Sequence, residues 1–252
     1  MAMLKVLLLL VLLLGVSVNS EVSLQKRIIG GHDCDDQQRL YHVRLVGSKG
    51  QLRTRCGGSL IHPEWILTAA HCWKSETGWT NVAIFKVHPW SAKQQHQVNQ
   101  HDPVIYTHGD LKHDIMLLKL QRPVRNVPIA QLPNCNNPLK IGDDVQLAGE
   151  GSTTTGPNNQ RLPEIPSAPQ HLQCIDMKVV QVSQFKPTCG RVFYTAAPNR
   201  DTCYGDSGGG VMFNNMIYGV TVEMGPNVCQ KPVTNMDVCE YMDWIKKTTG
   251  LK

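Results

Sequence analysis

Nine cysteines lie downstream of an apolar leader, and together they restrict the fold of this chain more than any other feature. The leader has a short basic start ending at Lys5, an unbroken apolar run from Val6 to Leu14, and small residues at Val18 and Ser20 that suit cleavage before Glu21. That run falls short of the roughly 20 residues needed to cross a bilayer. Residues 1–20 therefore read as a signal peptide, and the rest as a secreted, extracellular chain with no membrane attachment after its removal. The secretory route is oxidising, so the cysteines there read as a disulfide framework with one sulfur left over. Zinc is the competing use, but the spacings are long and irregular and hold no paired C-x-x-C knuckle, so no metal and no cofactor is expected.

Beyond residue 27 the chain carries 22 basic and 19 acidic side chains, a mild excess scattered along the sequence. Such a balance gives no case for nucleic acid. Short apolar stretches recur at Gly58–Ile61, Trp65–Thr68, Ile115–Leu120, Val145–Ala148, Ile175–Val180 and Met216–Val222, separated by Gly, Pro, Asn and Asp. Many short strands with turn signals between them predict an all-β sandwich or barrel rather than βαβ units. Gly151–Gln170 is rich in Ser, Thr, Gly, Pro and Asn and reads as a long exposed loop. A helical period appears at the end, where Val238, Tyr241, Met242 and Ile245 fall at i, i+3, i+4 and i+7, with Lys246 and Lys247 suited to the last turn.

Three motifs occur in the order His, Asp, Ser: Leu67-Thr68-Ala69-Ala70-His71-Cys72, then His113-Asp114-Ile115-Met116-Leu117-Leu118, then Gly205-Asp206-Ser207-Gly208-Gly209. Each alone is weak; in this order they are specific. On these motifs the chain resembles the chymotrypsin family of serine proteases, from Ile28 to the terminal helix. The resemblance implies two packed six-stranded antiparallel β-barrels with a C-terminal helix. Its first lobe would span about 28–130, its second about 131–252, with the active site between them.

A serine hydroxyl is a poor nucleophile until a base takes its proton. The resemblance makes His71 that base, Asp114 the group that fixes its tautomer, and Ser207 the nucleophile. Gly205 and Ser207 would supply the backbone amides of an oxyanion hole, where side chains would obstruct the approach. Gln25-Lys26-Arg27 before Ile28-Ile29-Gly30-Gly31 looks like a zymogen junction, making residues 21–27 an activation propeptide. The amine freed at Ile28 would then pair with Asp206.

The resemblance also pairs Cys34 with Cys174, Cys56 with Cys72, Cys135 with Cys239, and Cys203 with Cys229. It leaves Cys189 as a thiol or an intermolecular link in an otherwise monomeric protein. Val145 and Phe213 stand where a further family bridge often lies, and two apolar residues can pack where two sulfurs met. Asp201, six residues before Ser207, matches the carboxylate at the base of the specificity pocket in trypsin-like members and predicts cleavage after Arg or Lys.

The opposite pocket wall departs from that pattern: Met224 or, with a one-residue bulge, Gly225 takes the place of the first wall glycine, and Val233 that of the second. Glu223 adds a negative charge near the entrance, and Glu150 replaces a Trp. The reading is a trypsin-like endopeptidase acting on protein or peptide substrates and open to protein inhibitors. The competing reading is a weakly active or non-proteolytic homologue that binds a protein partner.

Overall fold

The structure is a computed structural model that describes residues 29–151, 157–160, 171–187 and 189–252. The leader, the propeptide, Ile28 and most of the loop expected at Gly151–Gln170 lie outside the described residues.

The first lobe is built from β2 (His42–Lys49), β3 (Leu52–His62), β4 (Trp65–Thr68), β5 (Thr80–Phe85), β6 (Gln95–Val98), β7 (Val104–His108) and β8 (Leu111–Lys119). They run antiparallel in the order β6-β5-β2-β3-β4-β8-β7. Its two edge strands are consecutive in sequence, joined by residues 99–103, so the sheet must curl until its edges approach. The resemblance implies six strands here and the structure has seven: the chain leaves the sheet over residues 99–103, between β6 and β7, and Pro103 at the end of that segment has no N–H to join a ladder.

The second lobe comprises β9 (Asp144–Gly149), β10 (Gln173–Lys186), β11 (Gly190–Ala196), β12 (Gly210–Phe213), β13 (Met216–Glu223) and β14 (Val233–Asp237). A ladder between β10 and β9 closes these six into a barrel, and β1 (His32–Asp33) adds to β10 from outside. Period-two burial fills the barrel: Val145 and Leu147 on β9, and Ile175, Met177 and Val179 on β10, meet Phe193, Val211, Tyr218 and Val233. Phe213 packs against this same cluster, so the two residues at the place of the family bridge share one core.

Hairpin turns set the registers. Gly50, at φ 59°, opens the two-residue turn between Lys49 and Leu52, and Asn214 and Asn215, at φ 49° and 61°, form the turn between Phe213 and Met216. At the C-terminus a 3-10 turn over Val238–Tyr241, capped by the Asp237 side chain on the Cys239 N–H, leads into α1 (Met242–Thr249). Gly250 ends it in the left-handed conformation with Lys246 and Lys247 in the last turn. Val238, Tyr241 and Ile245 join a core that also holds Leu67, Met116, Val192 and Val220, so the helix face seals both lobes.

Candidate active site

The register of β4 on β8 pairs Thr68 with Met116. The chain leaving β4 therefore turns, as a single 3-10 turn over Ala70–Cys72, directly beside Asp114, two residues before Met116. His71 Nδ1 donates to Asp114 Oδ2 at 2.8 Å, and the His71 backbone N–H donates to Asp114 Oδ1 at 2.9 Å. The His71 side chain is 44% exposed and that of Asp114 14%, so the carboxylate is sheltered while the outer ring edge faces solvent. Asp114 is fixed in turn by its own N–H, which donates across the lobes to the Cys189 carbonyl at 2.7 Å.

Ser207 enters from the second lobe on the loop between Cys203 and β12. Its carbonyl accepts the Gly57 N–H at 2.7 Å, which ties the loop to β3. Gly208, at φ 81°, is wedged where a Cβ would collide with Thr68 Oγ1 and the Gly57 carbonyl, so no other residue fits there. His71 Nε2 and the Ser207 carbonyl each lie 3.8 Å from Cys72 Sγ, so the Cys56–Cys72 bridge touches both the imidazole and the Ser207 loop. No hydrogen bond joins the His71 ring to the Ser207 hydroxyl among the described residues; such bonds commonly tighten on substrate binding. Around them Asp206, Gly208 and Gly209 spend their N–H groups on carbonyls, whereas those of Gly205 and Ser207 donate to no protein acceptor among the described residues. Asp206 itself is 1% exposed, its carboxylate accepting the N–H of Gly151 at 2.7 Å and of Cys203 at 2.6 Å.

Asp201 is also 1% exposed. Its Oδ1 accepts the Thr202 N–H at 2.8 Å, its Oδ2 the Cys229 N–H at 2.6 Å, and its own N–H reaches the Ile29 carbonyl at 3.1 Å. It borders a cavity of about 120 Å3 that it shares with Arg200, Lys231 and Val233 but not with Ser207 or Gly205. Val233 directs its side chain into the second-lobe core. Met224 and Gly225 are half-buried just beyond β13, and β13 is bulged between Thr221 and Glu223. Glu223 forms an ion pair with Lys186; burial disfavours the ammonium, but the Glu223 carboxylate outweighs it and holds the Lys186 pKa above its ordinary value.

Cys34 bonds Cys174, Cys56 bonds Cys72 behind His71, and Cys135 bonds Cys239. Cys203 and Cys229 flank Asp201, each lending its N–H to a buried carboxylate. Cys189 is 4% exposed inside the core between the lobes, with Sγ 3.8 Å from Glu223 Oε2. At that depth the sulfur is shielded from the surface.

Two supporting networks carry no sequence signal. Thr221 lends its carbonyl to Gly208 and its N–H to the Gly209 carbonyl, and its hydroxyl meets Asn235, which also bonds Thr195 Oγ1; all three side chains are buried. Next to Asp114, His113 Nδ1 accepts from the Tyr241 hydroxyl at 2.8 Å, and that hydroxyl accepts the Arg191 N–H at 2.9 Å. Burial pushes the Tyr241 phenol up and the His113 imidazole down, keeping both neutral.

A β-lobe closed as a barrel, a second curled sheet and a Ser-bearing loop held against a His–Asp pair define the two-lobed serine protease architecture. Comparison with known proteins agrees: the family described as Trypsin matches residues 28–245. Serine protease sp-Eoc49 of Echis ocellatus is 32% identical over 242 residues, covering 87% of this chain and 86% of the relative. Thrombin-like enzyme acutin of Deinagkistrodon acutus is 31% identical over 232 residues, covering 87% and 94%. Kallikrein-8 of Homo sapiens is 28% identical over 247 residues, covering 90% and 88%. The chain belongs to the trypsin family of serine endopeptidases, whose members act on protein or peptide substrates.

Proposed function

We propose that the chain is a secreted zymogen, activated by cleavage after Arg27, that hydrolyses peptide bonds through Ser207, His71 and Asp114. The observation that carries this reading is the double grip of Asp114 on His71, 2.8 Å to the ring and 2.9 Å to the backbone, beside the Ser207 loop. Ser207 Oγ attacks the scissile carbonyl and its proton passes to His71 Nε2, which later gives it to the leaving amine. Asp114 holds the imidazole in the tautomer with the proton on Nδ1 and stabilises the imidazolium. The N–H groups of Gly205 and Ser207, at liberty for a new acceptor, take the oxyanion. Water then releases the acyl group from Ser207.

Asp201 supports a preference for Arg or Lys before the scissile bond, since a buried carboxylate favours a cationic partner. The bulge in β13 supports Gly225, rather than Met224, as the wall residue facing that side chain. A fourth bridge between Cys203 and Cys229 would brace this pocket. On activation the Ile28 amine would pair with Asp206. The protein would act as a monomer, without nucleic acid or membrane, and be open to protein inhibitors.

A second reading, a weakly active or non-proteolytic homologue, is favoured by two observations: both Asp201 oxygens already accept from backbone amides, and Ser207 does not line the cavity beside Asp201. Peptide hydrolysis decides between them. Protein cleaved after Arg27 is expected to turn over arginyl and lysyl peptides at least tenfold better than alanyl ones, with all turnover lost in Ser207→Ala. Binding of such peptides without cleavage would establish the second reading.

A further inference from the structure

Arg44 and Glu150 form a buried ion pair between the lobes. Arg44 Nε donates to Glu150 Oε2 at 2.6 Å and Arg44 Nη2 to Oε1 at 2.5 Å, with side-chain exposures of 6% and 2%. Arg44 lies on β2 of the first lobe, and Glu150 directly follows β9 of the second. Arg55, on β3, adds a bond from Nη1 to the Glu150 carbonyl at 3.4 Å.

What the pair grips gives it meaning. Glu150 sits between two glycines pressed on Asp206: a Cβ on Gly149 would collide with the Asp206 carboxylate, and one on Gly151 would stand 2.7 Å from Oδ2. The Gly151 N–H donates to Asp206 Oδ1 at 2.7 Å. One side of this segment thus faces the residue before Ser207 while the Glu150 side chain leaves the other side toward the first lobe. Arg44 is also the cross-strand partner of Gly57, whose N–H holds the Ser207 carbonyl at 2.7 Å. The contacts close a ring: Arg44, Glu150, Gly151, Asp206, Ser207, Gly57 and back to Arg44, crossing the lobe boundary twice. Cys56, next to Gly57, is bonded to Cys72, next to His71.

We propose that Arg44 and Glu150 are positioning residues that fix the Asp206–Ser207 peptide in register with His71, a role resting on the reading of Ser207 and His71 as nucleophile and base. Stability alone does not account for such a pair. Removing two charges from water is costly, and an apolar replacement of both is often neutral or stabilising. What a bidentate guanidinium–carboxylate contact adds is a fixed geometry between the two elements that carry it. His71 and Ser207 come from different lobes, so a displacement of about 1 Å between them can cost about a hundredfold in rate.

The double variant Arg44→Met/Glu150→Leu separates positioning from folding, and Arg44→Lys keeps the charge without the fork. In activated protein, kcat is expected to fall tenfold or more in both, with KM within about twofold of wild type and no loss of melting temperature in the double variant. Hydrogen exchange is read in parallel in a Ser207→Ala background, where the amides of Gly57 and Gly151 are expected to lose protection in the double variant. Wild-type kcat together with unchanged protection would overturn the role. If the wild type itself does not turn over, the fault lies with the protease reading, and the exchange of Gly57 and Gly151 still decides whether the pair positions the loop.

Discussion

Asp114 accepts two hydrogen bonds from a single residue, one from the His71 ring at 2.8 Å and one from the His71 backbone N–H at 2.9 Å. The second bond locks the main chain that carries the ring, so the carboxylate sets the position of the imidazole as well as its tautomer. Asp114→Asn keeps an acceptor for the backbone N–H but turns a donor toward Nδ1, which moves the ring proton to Nε2. A kcat loss of about ten-thousandfold, the size known from the family's type case, is expected with little change in melting temperature. A loss under tenfold in peptide hydrolysis would contradict it.

Gly208→Ala tests the packing of the Ser207 loop. A Cβ there meets Thr68 Oγ1 and the Gly57 carbonyl at a φ of 81°, so the loop must move away from the first lobe. Backbone strain of this kind costs about 1–3 kcal/mol. A lower melting temperature and a kcat reduced by more than tenfold are expected; wild-type turnover would show that the loop has room.

Asn235 links Thr221 to Thr195 behind that loop, and its truncation leaves two buried hydroxyls without it. Asn235→Ala is expected to lower stability by about 1–3 kcal/mol in urea unfolding. A change below a few tenths would mean that water replaces the amide.

A buried histidine and a half-buried aspartate titrate in opposite senses. Burial lowers His42 from 6.5 to about 4, so the unfolded chain binds its proton first and stability falls as pH drops from 6.5 toward 4. Burial raises Asp237 from 3.8 to about 6, so the cost of its ionised form is present above pH 6 and is relieved as pH drops toward 4. Each effect is worth up to about 3 kcal/mol, and in the wild type they largely cancel. Unfolding free energies of His42→Gln should therefore rise relative to wild type as pH falls from 6.5 to 4. Asp237→Asn should exceed wild type at pH 7.5 and lose that advantage by pH 4. Parallel pH curves for all three proteins would refute the assignment.

The strands visible in the sequence were those with strong local signals. Trp65–Thr68 opens on three apolar residues and becomes β4, and Val145–Ala148 falls inside β9. The terminal periodicity matches the helix, with its first turn tightened to a 3-10 turn because Asp237 captures the Cys239 N–H. Less visible were β5, β6 and β7, partly exposed segments whose residues alternate weakly, and the splitting of the first lobe over residues 99–103. At the site, the His71, Asp114 and Ser207 motifs were legible because each is a local string. Arg44 with Glu150, 106 residues apart, and His113 with Tyr241, 128 apart, meet through folding, and no short-range pattern announces them. The replacement of a Trp by Glu150 was the one signal that could have led to Arg44, since a buried carboxylate demands a partner.

The measurement that bears most directly on the account is intact and peptide-level mass spectrometry of the protein, cleaved after Arg27 and treated with a fluorophosphonate. One adduct per chain is expected, located on Ser207, abolished in Ser207→Ala and slowed strongly in Asp114→Asn. A cleaved protein that stays unlabelled beside a labelled trypsin control, or an adduct on any other residue, would contradict it.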